Sequence, residues 1–262
     1  MGRLSRWDAP AVTALLMLLL LLSPSPSASG KVTVSVYYEA LCPFCANFIV
    51  YHLVKLFENG LITAVNLRMI PWGNAWIQPD GAFSCQHGPD ECMLNAIEAC
   101  TISIYPDTEK HFRFIHCVEG FTVQNRHNEW TKCFDIAQLS AIPIDCYRNG
   151  HGKLVMLLSS SPSSLCFLTL IMEAIEMQLE QSYAYETTQL NPPHRFVPWV
   201  IVNDKPLQED YQNFMAYVCK AYNGSPAPDA CRSIMLDDRH YLESANGGSQ
   251  VCYVTSPRNT TS

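Results

Sequence analysis

Two cysteines near the start of the chain have the spacing of a redox pair. They lie in the stretch YYEALCPFCANF, in which two residues separate Cys42 from Cys45. A thiolate attacks a disulfide sulfur to form a mixed disulfide, and a second cysteine nearby can then release the product by attacking the first. The spacing therefore predicts thiol-disulfide exchange, with Cys42 as the nucleophile and Cys45 as the resolving cysteine.

Two other uses of this pair remain open. A bridge between Cys42 and Cys45 could be structural only, although so short a loop would stabilise the fold little, because loop-closure entropy grows with loop length. The pair could also be half of a zinc site completed by Cys85 or His87. Because the chain has no second CxxC motif, we expect neither a metal nor any other cofactor.

The elements around the pair suit thiolate chemistry. The preceding KVTVSVYY alternates apolar and polar residues as a strand does. Apolar residues at helical spacing then continue as far as Gly60, which predicts a helix, and LITAVNLRMI at 61–70 predicts another strand. The resulting β-α-β opening favours an α/β sheet, and a CxxC at its strand-helix junction is typical of thioredoxin-like proteins. Cys42 then lies at a helix N-terminus, where unpaired N–H groups and the helix dipole favour a thiolate.

The C-terminal part of the chain has features that agree with this fold. In FVPWVIV, Pro198 lies at the head of a predicted strand. Thioredoxin-like folds resemble one another in having a cis-proline at this place, in the substrate-binding loop. A trans proline at a strand start is the alternative. The residues VIVNDKPL predict a hairpin with its turn at Asn203 and Asp204, and 209–222 predicts an amphipathic helix.

The most specific pattern in the chain is CQHGPDECMLNAIEAC at 85–100. It resembles the signature of the gamma-interferon-inducible lysosomal thiol reductase family. The segments PWGN at 71–74 and PPHRFVPWV at 192–200 also look like that family, and the resemblance covers about residues 32–222. The positions that match the signature are Cys85, Gln86, His87, Gly88, Glu91, Cys92, Asn95 and Cys100.

The resemblance implies a thioredoxin-like fold with a disulfide-rich, mostly helical insert at about residues 85–187. It also implies reduction of disulfide-containing protein substrates at acid pH, with an external thiol reductant that recycles the Cys42–Cys45 pair. A disulfide oxidase or isomerase on the same fold is one alternative, and a non-catalytic disulfide-rich binding protein is another. Acid operation requires a strongly lowered pKa at Cys42, since an ordinary thiol with a pKa of about 8.5 is almost fully protonated at pH 5.

Individual signature residues allow further predictions. Cys92 and Cys100 would lie about 12 Å apart on one helix, which is too far for a disulfide between them. We expect His87 to form hydrogen bonds at the helix entry rather than bind a metal, and Glu91 to complement the helix dipole, with proton transfer as its alternative role. The candidate partners for the two cysteines are Cys85, Cys117, Cys133, Cys146 and Cys219.

A count of cysteines leaves one without a partner. The chain has 12 cysteines, two of which form the active pair, and Cys166 lies in the segment at about 153–172, which interrupts the family pattern. That segment, LVMLLSSSPSSLCFLTLIM, looks like an atypical insertion, and a buried helix or covered loop and an exposed binding patch are its alternatives. Nine cysteines then remain, so at least one is unpaired or intermolecular, and Cys252 is the expected one.

The first thirty residues predict a secretory signal peptide. Arg3 and Arg6 precede an apolar run at 11–22, and small residues follow it. An uncleaved anchor is the alternative, but the run is short for a membrane span, so we expect no stable one. We therefore expect a protein of the secretory pathway, secreted or located in a lysosome or vacuole, with N-glycosylation at Asn223 and Asn259.

Length and charge complete the expected organisation. The chain has 262 residues and a net charge of −7, which argues against a nucleic-acid partner. We expect residues 31–230 to form the thioredoxin-like domain and residues 231–262 to form a loosely ordered tail, because apolar periodicity fades there.

Overall fold

A computed structural model describes residues 30–152, 179–234 and 250–255. Residues 1–29 of the predicted signal peptide lie outside these ranges, as do the atypical insertion at about 153–172 and the glycosylation sequon at Asn259. Within the described ranges, no helix combines the length and the apolar character needed to cross a membrane.

The core of the fold is a four-stranded sheet in the order β2-β1-β6-β7. Strands β1 and β2 are parallel, with Val32 opposite Val65, while β6 is antiparallel to β1 and β7 to β6. A β-α-β unit joined to an antiparallel hairpin in this order is a thioredoxin-like arrangement, which confirms the predicted α/β fold class. The strands within the described residues are β1 Val32–Tyr38, β2 Val65–Pro71, β3 Trp76–Ile77, β4 Phe83–Ser84, β5 Phe196–Val197, β6 Trp199–Val202, β7 Lys205–Pro206 and β8 Cys252–Tyr253.

Sequence patterns explain the main strands. In β2, buried Val65 and Leu67 alternate with exposed Asn66 and Arg68, as expected where one face of a strand is covered. The predicted hairpin is confirmed, since its two turn residues, Asn203 and Asp204, both have positive φ angles. The predicted strand at 61–70 begins later, because its first four residues form a 3₁₀ turn.

Helices cover the sheet, and most of them lie between β4 and β5. The predicted helix after the CxxC motif is present, although it passes through a π-helical turn at Ile49–Leu53, and the predicted helix at 209–222 begins as a 3₁₀ segment at Gln208–Asn213. The helices are α1 Pro43–Phe48, α2 Lys55–Glu58, α3 Pro89–Ile104, α4 Thr108–Val123, α5 Lys132–Ala137, α6 Ile142–Gly152, α7 179–188, α8 Phe214–Ala221 and α9 229–234.

Disulfides join these helices in pairs. Cys100 on α3 bonds Cys146 on α6, Cys117 on α4 bonds Cys133 on α5, and Cys219 on α8 bonds Cys231 on α9. The entry to α3 is fixed by a bond between Cys85 and Cys92. The prediction that Cys92 and Cys100 have separate partners is therefore confirmed, and both partners belong to the expected set.

Candidate active site

The CxxC motif lies where the sequence predicts, at the junction of β1 and α1. Cys42 is the N-cap residue of α1, Pro43 occupies the first helical position, and Cys45 follows within the first turn. The first-turn N–H groups and the positive end of the helix dipole therefore face Cys42. This arrangement favours a thiolate at Cys42 whenever that sulfur is not in a disulfide.

The disulfide partner of Cys42 is not the expected one. Cys42 bonds Cys252, 210 residues away, and Cys45 is the free cysteine among the described residues. The expectation that Cys252 lacks a partner within the chain is therefore wrong, because the cysteine count assumed a bond between Cys42 and Cys45. Cys42 is also fully buried, with 0% exposure, as is Cys45.

The segment around Cys252 is an ordered strand, contrary to the expectation of a loosely ordered tail at these residues. Strand β8 pairs antiparallel with β5, so that Tyr253 lies opposite Phe196 and Cys252 lies opposite Val197. The next residue, Pro198, follows a cis peptide bond, as predicted. Cys252 therefore reaches Cys42 along the strand edge that precedes the cis-proline.

Side chains from two family motifs hold the main chain of this segment. Asn74 Nδ2 donates to the carbonyl oxygen of Cys252 at 3.1 Å, and Gln86 Nε2 donates to that of Tyr253 at 2.8 Å. The Asn74 amide also donates to Gln86 Oε1 at 2.8 Å, which orients both groups. On the other side, the Tyr211 hydroxyl donates to the carbonyl oxygen of Gln250 at 2.8 Å.

His87 faces the disulfide, a position that the sequence did not predict. Its Nε2 lies 3.8 Å from Cys252 Sγ, while its Nδ1 contacts the Glu91 carboxylate and lies 3.7 Å from Glu39 Oε2. The expected hydrogen bonds at the helix entry are confirmed, since the backbone N–H of His87 donates to Glu91 Oε1 at 3.1 Å. Glu91 lies in the first turn of α3, as predicted.

Glu39 is a buried carboxyl group that sequence analysis missed. Its Oε1 accepts a hydrogen bond from the backbone N–H of Asn74 at 2.6 Å. Burial, and next the nearby charge of Glu91, raise its pKa to about 9. Gly73 has a positive φ, and a Cβ there would come within 2.3 Å of Glu39 Cγ, so the PWGN motif requires a glycine beside this carboxyl.

Burial also raises the pKa of the Cys45 thiol, and the charge of Glu39 adds to this effect.

Of the zinc ligands considered earlier, Cys42 and Cys85 are held in disulfides, so neither sulfur is a thiolate that could bind zinc. Ligand atoms of Glu39, His87 and Cys252 lie within 4.8 Å of one another, but the Cys252 sulfur is likewise in a disulfide.

The signature residue Asn95 and a residue of helix α4 support the loop before Cys42. Asn95 Oδ1 accepts from the backbone N–H of Ala40 at 3.0 Å, and Thr122 Oγ1 donates to the Ala40 carbonyl at 3.1 Å. Gly88, with φ of 96°, forms the turn into α3. The signature at 85–100 therefore packs against the redox site, which its spacing in the sequence could not reveal.

Comparisons with known proteins agree with these observations. Residues 33–137 match the family model described as Gamma interferon inducible lysosomal thiol reductase (GILT). The Gamma-interferon-responsive lysosomal thiol protein of Arabidopsis thaliana is 35% identical over 208 residues, which cover 78% of this chain and 77% of that protein. The Gamma-interferon-inducible lysosomal thiol reductase of Mus musculus is 31% identical over 227 residues, covering 85% of this chain and 76% of that protein.

Among solved structures, a crystal structure of Chlamydia trachomatis DsbA is similar to this chain, with a TM-score of 0.42 and 11% sequence identity. The alignment covers 84% of this chain and 91% of that one. The family assignment rests on the two sequence relatives, because each is more than 30% identical to this chain over most of that relative's length. The chain therefore belongs to the gamma-interferon-inducible lysosomal thiol reductase family, a family of thiol-disulfide oxidoreductases.

Proposed function

We propose that this oxidoreductase reduces disulfide bonds in protein substrates, with Cys42 as the nucleophile and Cys45 as the resolving cysteine. The observation that carries the proposal is the position of Cys42 at the start of a helix, with Cys45 in its first turn. The helix end lowers the pKa of a thiol at that position, and the second sulfur is within reach of the first.

The reaction would proceed in two exchanges and one recycling step. The Cys42 thiolate attacks one sulfur of the substrate disulfide, and the other sulfur leaves and takes up a proton. Cys45 then attacks the Cys42 sulfur, which forms a Cys42–Cys45 disulfide and releases the second substrate thiol. Two equivalents of an external thiol reduce that disulfide and are themselves oxidised to a disulfide.

The environment of Cys45 favours its thiol form. Burial raises the pKa of Cys45 in the structure, in which Cys42 is held in a disulfide, so Cys45 must give up a proton when it attacks the Cys42 sulfur. Cys45 would act only when Cys42 is already in a mixed disulfide, since the proton that Cys45 loses is then balanced by the proton that the departing substrate sulfur takes up.

An acidic compartment is compatible with this arrangement. With a pKa of about 9, Glu39 is neutral at pH 5 as it is at pH 7, so its charge opposes ionisation of Cys45 at neither pH. The relatives are named lysosomal proteins, the described residues contain five disulfides, and Asn223 is exposed and could carry a glycan. We therefore favour a glycosylated protein that enters the secretory pathway and works in the lysosome or after secretion.

The test is the reduction of insulin disulfides at pH 5 by Cys42→Ser, Cys45→Ser and wild-type protein in the presence of a small thiol reductant. We expect Cys42→Ser to fall to the rate of the reductant alone, because the sulfur at the helix N-terminus, where a thiolate is favoured, is absent. Cys166→Ser, which removes a cysteine of the predicted insertion at about 153–172, is the control and should retain activity. Full activity in a correctly folded Cys42→Ser protein would refute the proposal.

A further inference from the structure

We propose that residues 250–255 are a tethered internal occupant of the substrate site, with Cys252 in the position of the substrate cysteine. The inference rests on the proposed function, because it takes Cys42 as the nucleophile. It assigns a role to the C-terminal segment and identifies the class of substrate that the site accepts, namely extended peptides that contain cysteine.

The covalent bond is the first argument. Cys252 is bonded to the sulfur that would attack substrates, so the Cys42–Cys252 disulfide is chemically a mixed disulfide formed within one chain. The remaining cysteine of the pair, Cys45, is free and buried beside it. This is the state that a substrate would reach after the first exchange and before the second.

The segment is bound through its main chain. Strand β8 extends the edge of β5, and the backbone N–H of Val254 donates to the Arg195 carbonyl at 3.0 Å. Asn74 and Gln86 donate to the carbonyls of Cys252 and Tyr253. All of these contacts use the main chain of the segment, so an extended peptide of another sequence could make them as well.

Side-chain burial indicates which substrates fit. Val251, directly before the cysteine, is 6% exposed, whereas Tyr253 and Val254 after it are 56% and 45% exposed. The site therefore accepts an apolar residue before the cysteine and leaves the following residues at the surface. We expect substrates to show a preference for an apolar residue directly before the cysteine and little preference at the positions after it.

The occupied site can open by two balanced reactions. In the first, two equivalents of an external thiol convert the Cys42–Cys252 disulfide into two thiols and become a disulfide themselves. In the second, the Cys45 thiolate attacks the Cys42 sulfur, which forms Cys42–Cys45 and releases Cys252 as a thiolate, with no net oxidation. The first reaction makes Cys42 available to substrates at once, and the second does so only after two equivalents of an external thiol have reduced the Cys42–Cys45 disulfide.

Disulfide mapping of the full-length, non-reduced protein tests the bond itself. Free thiols are blocked at acid pH under denaturing conditions, and peptides are then analysed without reduction. We expect the peptide that contains Cys42 and Cys45 to be linked to the peptide that contains Cys252, with Cys45 carrying the block. A bond between Cys42 and Cys45, with Cys252 blocked, would overturn the proposal. This result does not depend on activity, so it is distinguishable from failure of the proposed reductase function.

Kinetics test whether the segment competes with substrate. We expect the non-reduced wild-type protein to reduce insulin after a lag, which incubation with the thiol reductant shortens. Cys252→Ser can hold only a Cys42–Cys45 disulfide at this site, so we expect its lag to differ in length and in its dependence on the reductant. Cys166→Ser is the matched control and should keep the lag. The same time course in the wild-type and Cys252→Ser proteins would contradict an occupied site.

A variant of Gln86 tests whether substrates follow the path of the segment. In a Cys252→Ser background, Gln86→Glu keeps the oxygen that accepts from Asn74 and loses the N–H group that donates to Tyr253. Loss of one hydrogen bond should raise the KM for a cysteine-containing disulfide peptide about 3- to 10-fold and leave kcat unchanged. An unchanged KM would show that substrates do not bind along this path.

Discussion

His87 is the residue whose position changes the chemistry most. If Cys252 marks the place of the substrate cysteine, His87 Nε2 lies 3.8 Å from the sulfur that must leave when Cys45 attacks Cys42. Its other nitrogen contacts Glu91, which orients the ring. A histidine held in this way can give a proton to a departing thiolate, and we propose this role for it.

His87→Gln tests that role through the leaving group. For a mixed disulfide of Cys42 with an alkyl thiol, we expect His87→Gln to slow the release of that thiol by up to about 100-fold, a factor that general acid catalysis typically contributes. For a mixed disulfide with an aromatic thiol of low pKa, which leaves without protonation, the loss should be much smaller. Stopped-flow measurement of thiol release gives both rates, and equal losses would indicate a purely structural role.

At the scale of elements, helices α3 and α4 hold the loop that leads into the CxxC motif. Asn95 and Thr122 bond the two backbone groups of Ala40, which is itself fully buried. A buried N–H group without a partner costs about 1–3 kcal/mol. The helical insert therefore contributes to the redox site by fixing the backbone next to Cys42, although it carries neither sulfur of the CxxC pair.

Asn95→Ala should lower the free energy of unfolding by about 1–3 kcal/mol, because it leaves the Ala40 N–H group unpaired. Urea unfolding of the oxidised protein measures this change. Thr101→Val is the matched control, since the Thr101 hydroxyl bonds only Ile97 in its own helix and should have a smaller effect. Equal losses in the two variants would argue against the loop contact.

The sequence predicts the elements whose signals are local. The alternation in β1, the helical spacing after Cys42 and the Asn203-Asp204 turn each occupy a few consecutive residues, and each was found. Strands β5 and β8 contain two residues each, which is too short to show a period. Their pairing, and with it the Cys42–Cys252 bond, depends on tertiary contacts that no local pattern encodes.

Over the whole molecule, the most unusual feature is a set of buried carboxyl groups behind the redox site. Glu39, Glu98 and Glu119 are all 0% exposed. Burial raises the pKa of Glu98 to about 8 and that of Glu119 well above its usual value, and it raises that of Glu39 to about 9. The Tyr38 hydroxyl donates to Glu98 at 2.6 Å. From the sequence alone, these residues resemble ordinary surface charges, because their burial arises only when the insert packs on the sheet.

These groups predict a protein that is more stable in mild acid than in mild base. A carboxyl with a raised folded-state pKa holds a proton that the unfolded chain has lost, so its stabilisation is complete below the unfolded pKa of about 4.5 and is lost as pH rises through 8 to 9. Between its unfolded and folded pKa values, each group lowers the free energy of unfolding by about 1.4 kcal/mol for each unit by which the pH rises. The lowered pKa values of His52, His111 and His194 oppose this trend only below about pH 6.5.

We therefore expect the free energy of unfolding to be higher at pH 6.5 than at pH 8, as measured by urea unfolding of the non-reduced protein. Glu98→Gln keeps an oxygen for the Tyr38 hydroxyl and cannot ionise, so the difference between the two pH values should shrink. A wild-type protein that is equally stable at both, or a Glu98→Gln protein with the full difference, would show that this carboxyl is ionised in the folded state.

The Cys219–Cys231 bond also affects the strength of competition at the active site. It anchors the chain about twenty residues before Cys252, so the C-terminal cysteine cannot diffuse away when its bond to Cys42 opens. A tether of this kind typically gives an effective concentration on the order of millimolar. Occupancy by the segment is therefore independent of enzyme concentration, and a dilute substrate must compete with it at a much lower concentration.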